Sequence, residues 1–252
     1  MLIHPTIERL RELGLKGMAE GLLSQMQQDD MHGVSFEDRL GLLVDQEWAQ
    51  RQNRRLARLL QVAKLRLPAS LEDLDYQHQR GLDRTVMRML AGCQWVRDHN
   101  TVLISGPTGV GKTFIACALA NAACRQGFHT RYYRVPRLLA DIAAAKADGS
   151  YRRLLRSLAH TNLLVLDDWG LAPLQPAEAR DMLEVIDDRS QVQATIVASQ
   201  LPVDHWHATI ADPSVADAIL DRLVHTAHRI TLKGESMRKQ IPAPAPSDQA
   251  QA

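Results

Sequence analysis

Eight consecutive residues, Gly106-Pro107-Thr108-Gly109-Val110-Gly111-Lys112-Thr113, satisfy every fixed position of the pattern G-x-x-x-x-G-K-[ST]. Each residue type has a task in holding a phosphate. Glycines let the backbone turn through positive φ and present its N–H groups to phosphate oxygens, and a helix starting at the loop adds its positive end. Lys112 is placed to reach the β- and γ-phosphates, and the Thr113 hydroxyl to ligate Mg²⁺. A nucleoside triphosphate with Mg²⁺ is therefore the expected ligand pair. A second chemical feature lies downstream, where the apolar run Leu163-Leu164-Val165-Leu166 ends in Asp167-Asp168. Asp167 can complete the Mg²⁺ shell, and Asp168 can orient or deprotonate an attacking water.

These residues need a strand and a helix to hold them, and the flanking sequence supplies both. Thr101-Val102-Leu103-Ile104 has the composition of a short buried strand, and Phe114 to Ala120 opens a long Ala-rich helix. A continuous apolar run such as 163–166 suits a parallel strand buried on both faces. Carboxylates at its end then lie in the crevice where α/β sheets bind ligands. Ala194-Thr195-Ile196-Val197-Ala198 reads as another buried strand, ending in Ser199-Gln200. That polar pair suits sensing of a γ-phosphate and equally suits an ordinary strand cap.

The N-terminal part reads as helical. Residues 5–28 carry apolar residues at helical spacing interrupted by Gly14, Gly17 and Gly21, which predicts one or two short helices. Ser35-Phe36-Glu37-Asp38 resembles a cap with acidic first-turn residues, so a long helix is expected to follow and to end before Pro68. Arg51, Arg54, Arg55 and Arg58 fall at i, i+3, i+4, i+7, while Leu56, Leu59, Leu60 and Ala63 repeat that spacing on a different face. No acidic residue interrupts the run from Arg51 through Lys64 to Arg66. Contact with a phosphate backbone fits this stripe, as does a solvated helix face. Residues 1–67 are expected to form a separate helical domain, 68–240 the nucleotide-binding domain, and 241–252, rich in Pro, Ala and Gln, a disordered tail.

Within the second domain, a helix over 82–95 should lead into the loop strand. A strand over 130–135 and a helix over 136–147 should follow the loop helix, which Gly127 stops. Tyr151 to Arg156 is a second basic helical segment, with Arg152, Arg153 and Arg156 as candidate phosphate contacts. Helices over 176–189 and 213–225 and a last strand over 229–232 complete the pattern.

Composition limits what the site can belong to. A chain of 252 residues with 45% hydrophobic content can bury one sizeable core and carry a small second domain. No apolar run approaches the roughly 18 residues of a membrane span, and Met1-Leu2-Ile3-His4-Pro5 lacks the order of a signal peptide, so a cytoplasmic protein with no membrane partner is expected. Cys93, Cys117 and Cys124 show no zinc spacing and read as buried free thiols. A formal charge of +1 means that nucleic-acid binding must come from local patches.

The order of phosphate loop, Asp-Asp strand, Ser-Gln strand end, Asp221-Arg222-Leu223 helix and Gly234-Glu235-Ser236-Met237-Arg238 resembles the AAA+ ATPases, and within them the IstB-like transposition-helper ATP-binding proteins. The resemblance spans nearly the whole chain. It implies a P-loop core with a five-stranded parallel sheet sandwiched by helices, the loop strand central and the Asp167 strand separated from it by the Ser199 strand, preceded by a small all-α domain. Ser199 and Gln200 match sensor 1, where the family often has Asn. Arg222 matches the arginine finger, which reaches the γ-phosphate of a neighbouring subunit and so implies a homo-oligomer with inter-subunit ATP sites. Arg238 resembles a sensor-2 arginine. Many AAA+ proteins have Glu where this chain has Asp168, which implies slower hydrolysis here. The extra basic helix between the second and third strands matches one that lines a DNA channel in initiator and loader relatives.

Three functions are compatible with these residues. The first is an ATPase that assembles on duplex DNA, marks or remodels a target and stimulates a partner transposase. The second is a helicase loader of the DnaC type. The third, a small-molecule phosphotransferase, leaves Asp221-Arg222 and the basic N-terminal helix without a task.

Overall fold

The computed structural model describes residues 5–28 and 33–237. Two compact units divide the chain, Met1–Gln61 and Val62–Ala252. The tail from 241 and Arg238 lie outside the described residues.

The first unit contains α1 (Pro5–Glu12), α2 (Lys16–Gln27) and most of α3 (Phe36–Ala63). Ser35 caps α3 by accepting the Asp38 N–H at 3.1 Å. Leu15 precedes α2 and cannot cap it. The Glu47 carboxylate of α3 does so instead, accepting from Gly17 N at 2.6 Å and Met18 N at 3.2 Å. This contact requires glycine, because a Cβ on Gly17 would lie 2.7 Å from Glu47 Cα. Gly17 and Gly21 are thus points of close approach to α3, whereas Gly14, at φ +74° with open space around it, turns the chain between α1 and α2.

The second unit is a parallel sheet with helices on both faces. Its elements are α4 (Arg84–Ala91), α5 (Gln94–Arg97), β1 (Thr101–Ser105), α6 (Lys112–Arg125), β2 (Thr130–Arg134), α7 (Val135–Ala147), α8 (Tyr151–Ala159), β3 (Leu163–Trp169), α9 (Pro176–Asp187), β4 (Ala194–Ser199), α10 (Pro213–Val224) and β5 (His228–Thr231). Strand order is β2-β3-β4-β1-β5, with every pairing parallel. β4 separates the Asp167 strand from the loop strand, as expected. The central strand is β4, however, and not the loop strand, since two strands lie beyond β4 on one side and only β5 lies beyond β1. Strand residues alternate between two buried layers. Val102, Ile104, Val165 and Ile196 face one, while Leu103, Leu164, Leu166 and Val197 face the other.

The single helix expected over 82–95 is broken at Gly92-Cys93, where Cys93 adopts φ +53° and starts α5. Met87, Leu90, Cys93, Trp95 and Val96 all enter the same core, so the apolar pattern runs on across the break. All three cysteines are buried free thiols, and burial pushes each thiol up, Cys93 to about 11. Arg189 is also buried, donating to the Leu158 carbonyl of α8 and to the Thr161 and Ala194 carbonyls at the N-terminal ends of β3 and β4. No helix among the described residues is long and apolar enough to cross a membrane.

Candidate nucleotide site

The octapeptide joins β1 to α6 at the carboxyl end of the sheet, with Gly106, Gly109 and Gly111 all at positive φ. Gly109 has no room for a side chain, since its Cβ would fall 2.0 Å from Ser236 Oγ. Lys112 Nζ donates to the Gly106 and Pro107 carbonyls, each at 2.7 Å, and so folds over the loop it serves. The Thr113 hydroxyl donates to Asp167 Oδ2 at 2.7 Å, joining loop and carboxylate strand directly. Tyr132 of β2 donates to the same oxygen at 2.6 Å, and the Asp168 N–H to Oδ1 at 2.8 Å. Burial and then the bond to Asp167 push the Tyr132 hydroxyl far up, so it stays a donor.

Adjacent strand residues normally point to opposite faces, yet Asp167 and Asp168 both line one cleft of about 600 Å³ with Lys112, Thr113 and Gln200. A bulge makes this possible. Leu166 pairs with Val197 and Trp169 with Ser199, so β3 carries one extra residue there, and Asp168 takes φ +59°. Bulges re-aim side chains in this way. The Asp168 carboxylate receives Arg134 Nε at 2.5 Å, with Arg66 Nη1 at 3.8 Å. Neither arginine has a sequence signal, because each becomes a neighbour of Asp168 only through sheet pairing and chain return.

Ser199 and Gln200 separate in role. Ser199 is fully buried, its hydroxyl donating to Trp169 O at 2.7 Å and accepting from Leu201 N at 3.0 Å. It secures the end of β3 and does not line the cleft. Gln200 does, and its side chain meets the Thr108 hydroxyl of the loop at 2.9 Å.

Arg222 lies elsewhere. It lines a cavity of about 550 Å³ with Thr101 and Thr195, near the starts of β1 and β4, so it sits at the opposite end of the sheet from its own loop. β1 alone, five residues long, puts roughly 16 Å between those ends. Its guanidinium donates from Nε to Asp187 Oδ1 at 2.5 Å and from Nη1 to Ala218 O at 2.9 Å. Arg51, Arg54, Arg55 and Arg58 are exposed on α3, where Arg51 pairs with Glu47 at 2.7 Å and Arg54 donates to Gln50. Arg152, Arg153 and Arg156 are exposed on α8 while Leu155 and Leu158 are buried.

The donors around Asp167 fit a small hard cation. Thr113 and Asp167 offer oxygen alone, and among the described residues no cluster of three or more His, Cys, Asp or Glu is placed to hold a metal ion. A cation held by these two residues would take most of its ligands from phosphate and water, as Mg²⁺ commonly does.

Sheet order, loop and carboxylates together define a P-loop protein of the AAA+ class, with the residue set of an ATPase. Solved structures agree on the fold: DnaI gives a TM-score of 0.56 at 20% identity, covering 66% of this chain and 91% of that one. The DnaC helicase loader gives 0.51 at 18%, covering 59% and 86%. DnaA bound to AMPPCP and single-stranded DNA gives 0.56 at 16%, covering 68% and 52%. The model of the IstB-like ATP binding protein family matches residues 8–245, and the chain belongs to that family. An insertion sequence ATP-binding protein of Sinorhizobium fredii is 49% identical over 95% of this chain and 98% of its own length. An ATP-binding protein in an insertion sequence of Mycobacterium tuberculosis is 34% identical, covering 91% and 92%.

Proposed function

We propose that this protein is an ATP-dependent helper of insertion-sequence transposition that assembles on duplex DNA and acts on a partner transposase. The observation that carries the assembly step is the placement of Arg222 at the far end of the sheet from the phosphate loop. An arginine there has no route to its own γ-phosphate, and a neighbouring copy can present it to the next loop. ATP occupies the cleft with Mg²⁺ held by Thr113 and Asp167. Asp168 orients the attacking water, Gln200 senses the γ-phosphate through the loop, and the finger stabilises charge in the transition state. The insertion-sequence setting of the relatives supports a transposase as the partner.

DNA contact is assigned to the exposed arginines of α3 and α8. Such contacts are sequence-independent and strongly salt-dependent. The test is to mix the protein with ATP-Mg²⁺ and either linear duplex or single-stranded DNA, image the assemblies and measure hydrolysis. ATP-dependent filaments or rings on duplex, with duplex-stimulated turnover, support the proposal. A preference for single strands together with a replicative helicase overturns it in favour of a loader. Replacing Arg55, Arg58, Arg152 and Arg156 by Ala should flatten the slope of log K against log salt by about 0.9 for each phosphate that is no longer neutralised.

A further inference from the structure

A phosphate loop works only if its peptide N–H groups point inward, which obliges the carbonyls of the same peptides to point outward, because the two groups of a planar trans peptide are antiparallel. Outward carbonyls need partners. In this protein Lys112 takes those of Gly106 and Pro107, and the Met237 N–H takes that of Gly109 at 3.1 Å. The carbonyl of Val110 is taken by a residue from outside any motif: Arg80 Nη1 donates to it at 2.9 Å.

Arg80 is 5% exposed, and its side chain lines the nucleotide cleft. Its second terminal nitrogen donates to Asp75 O at 2.9 Å, and Nη1 also rests against Met237 Sδ at 2.7 Å. Its own carbonyl accepts from Lys233 N at 2.8 Å. One side chain therefore joins the 75–80 segment, the loop and the Gly234–Met237 segment. The buried Nε has no hydrogen-bond partner, so this guanidinium is held at a cost in desolvation. Gly111 records how close the approach is, since a Cβ there would lie 2.6 Å from Arg80 Nη1.

We propose that Arg80 is a positioning residue for nucleotide binding. By fixing the Val110 carbonyl it sets the Val110–Gly111 peptide plane and aims the Gly111 N–H at the bound phosphate. The inference rests on the loop binding a nucleoside triphosphate. It needs neither DNA nor assembly.

The experiment is fluorescent titration of ATP and ADP onto the full chain carrying R80M, R80K or K112A, with thermal unfolding of each nucleotide-free protein. R80M keeps the apolar stem and removes every donor. It is expected to weaken ATP and ADP alike by about 10- to 100-fold, the range for one lost charge-assisted hydrogen bond, while the unfolding midpoint stays within a few degrees. R80K, with one point charge in place of a fork, should fall between R80M and the unsubstituted protein. Unsubstituted affinity in folded R80M overturns the proposal, and if R80M does not fold, unsubstituted affinity in R80K does so. K112A separates the two levels. If K112A weakens ATP and R80M does not, only the role of Arg80 falls; if neither matters, the nucleotide site itself is misassigned.

Discussion

Arg134 Nε donates to Asp168 Oδ2 across 2.5 Å, so the carboxylate next to Asp167 is already engaged by the neighbouring strand. Arg66 adds a second positive charge 3.8 Å from the same oxygen. A carboxylate oxygen that accepts from a guanidinium has a lone pair fewer for an attacking water. Arg134→Met is therefore expected to raise ATP turnover without DNA by roughly three- to tenfold, the effect of one weakened hydrogen bond. A steady-state phosphate-release assay reads this directly. Unchanged turnover would show that this pairing does not restrain Asp168, and slower turnover would place Arg134 on the phosphate.

The length of the Asp168 side chain gives a second prediction. Asp168→Glu extends the carboxylate by one methylene toward the cleft and should speed hydrolysis, whereas Asp168→Asn removes the proton acceptor. The Asn variant should lose about 10²- to 10⁴-fold in kcat with ATP affinity nearly intact. Equal rates for the three proteins remove Asp168 from the chemistry.

Arg222 gives a third. Arg222→Ala should lower turnover by about 10³-fold while leaving the Kd for ATP within about twofold, because the residue does not line its own cleft. Mixing Arg222→Ala with Lys112→Ala subunits should restore part of the activity, since each supplies what the other lacks. No recovery in the mixture, or an unchanged rate for the single variant, rejects an inter-subunit site.

Acid should act on the first unit through Glu47. The Arg51 side chain, followed by the Met18 and Gly17 N–H groups, holds this carboxylate below its ordinary value of 4.5. A depressed folded value means that the stabilisation is full above the unfolded value and disappears as pH falls through the folded one. Amide exchange at Gly17 and Met18 should accelerate as pH drops below about 4.5, after correction for intrinsic rates. Glu47→Gln should flatten that response; a response identical in both proteins assigns it to another group.

Much of this site could be read before folding was considered. Loop, carboxylate pair and strand-end polar pair are contiguous in sequence, and local periodicity places each on its element. The layers of the sheet were legible for the same reason, since runs such as Leu163 to Leu166 are apolar at every position. Sequence could not separate Ser199 from Gln200, because which of two neighbours faces a cleft depends on the face of β4 that meets it. It also joined α4 to α5, whose break at Cys93 leaves the apolar pattern intact.

The sequence by itself determined that a triphosphate loop and its carboxylates exist, because these are local patterns with a fixed chemical purpose. Only tertiary structure decided how they are held. The extra residue in β3 turns Asp167 and Asp168 to one side, β2 brings Tyr132 and Arg134 onto them, and the 75–80 segment carries Arg80 beneath the loop. Those pairings join residues about 30 or more apart in the chain, and no local spacing encodes a partner that only the return of the chain can supply.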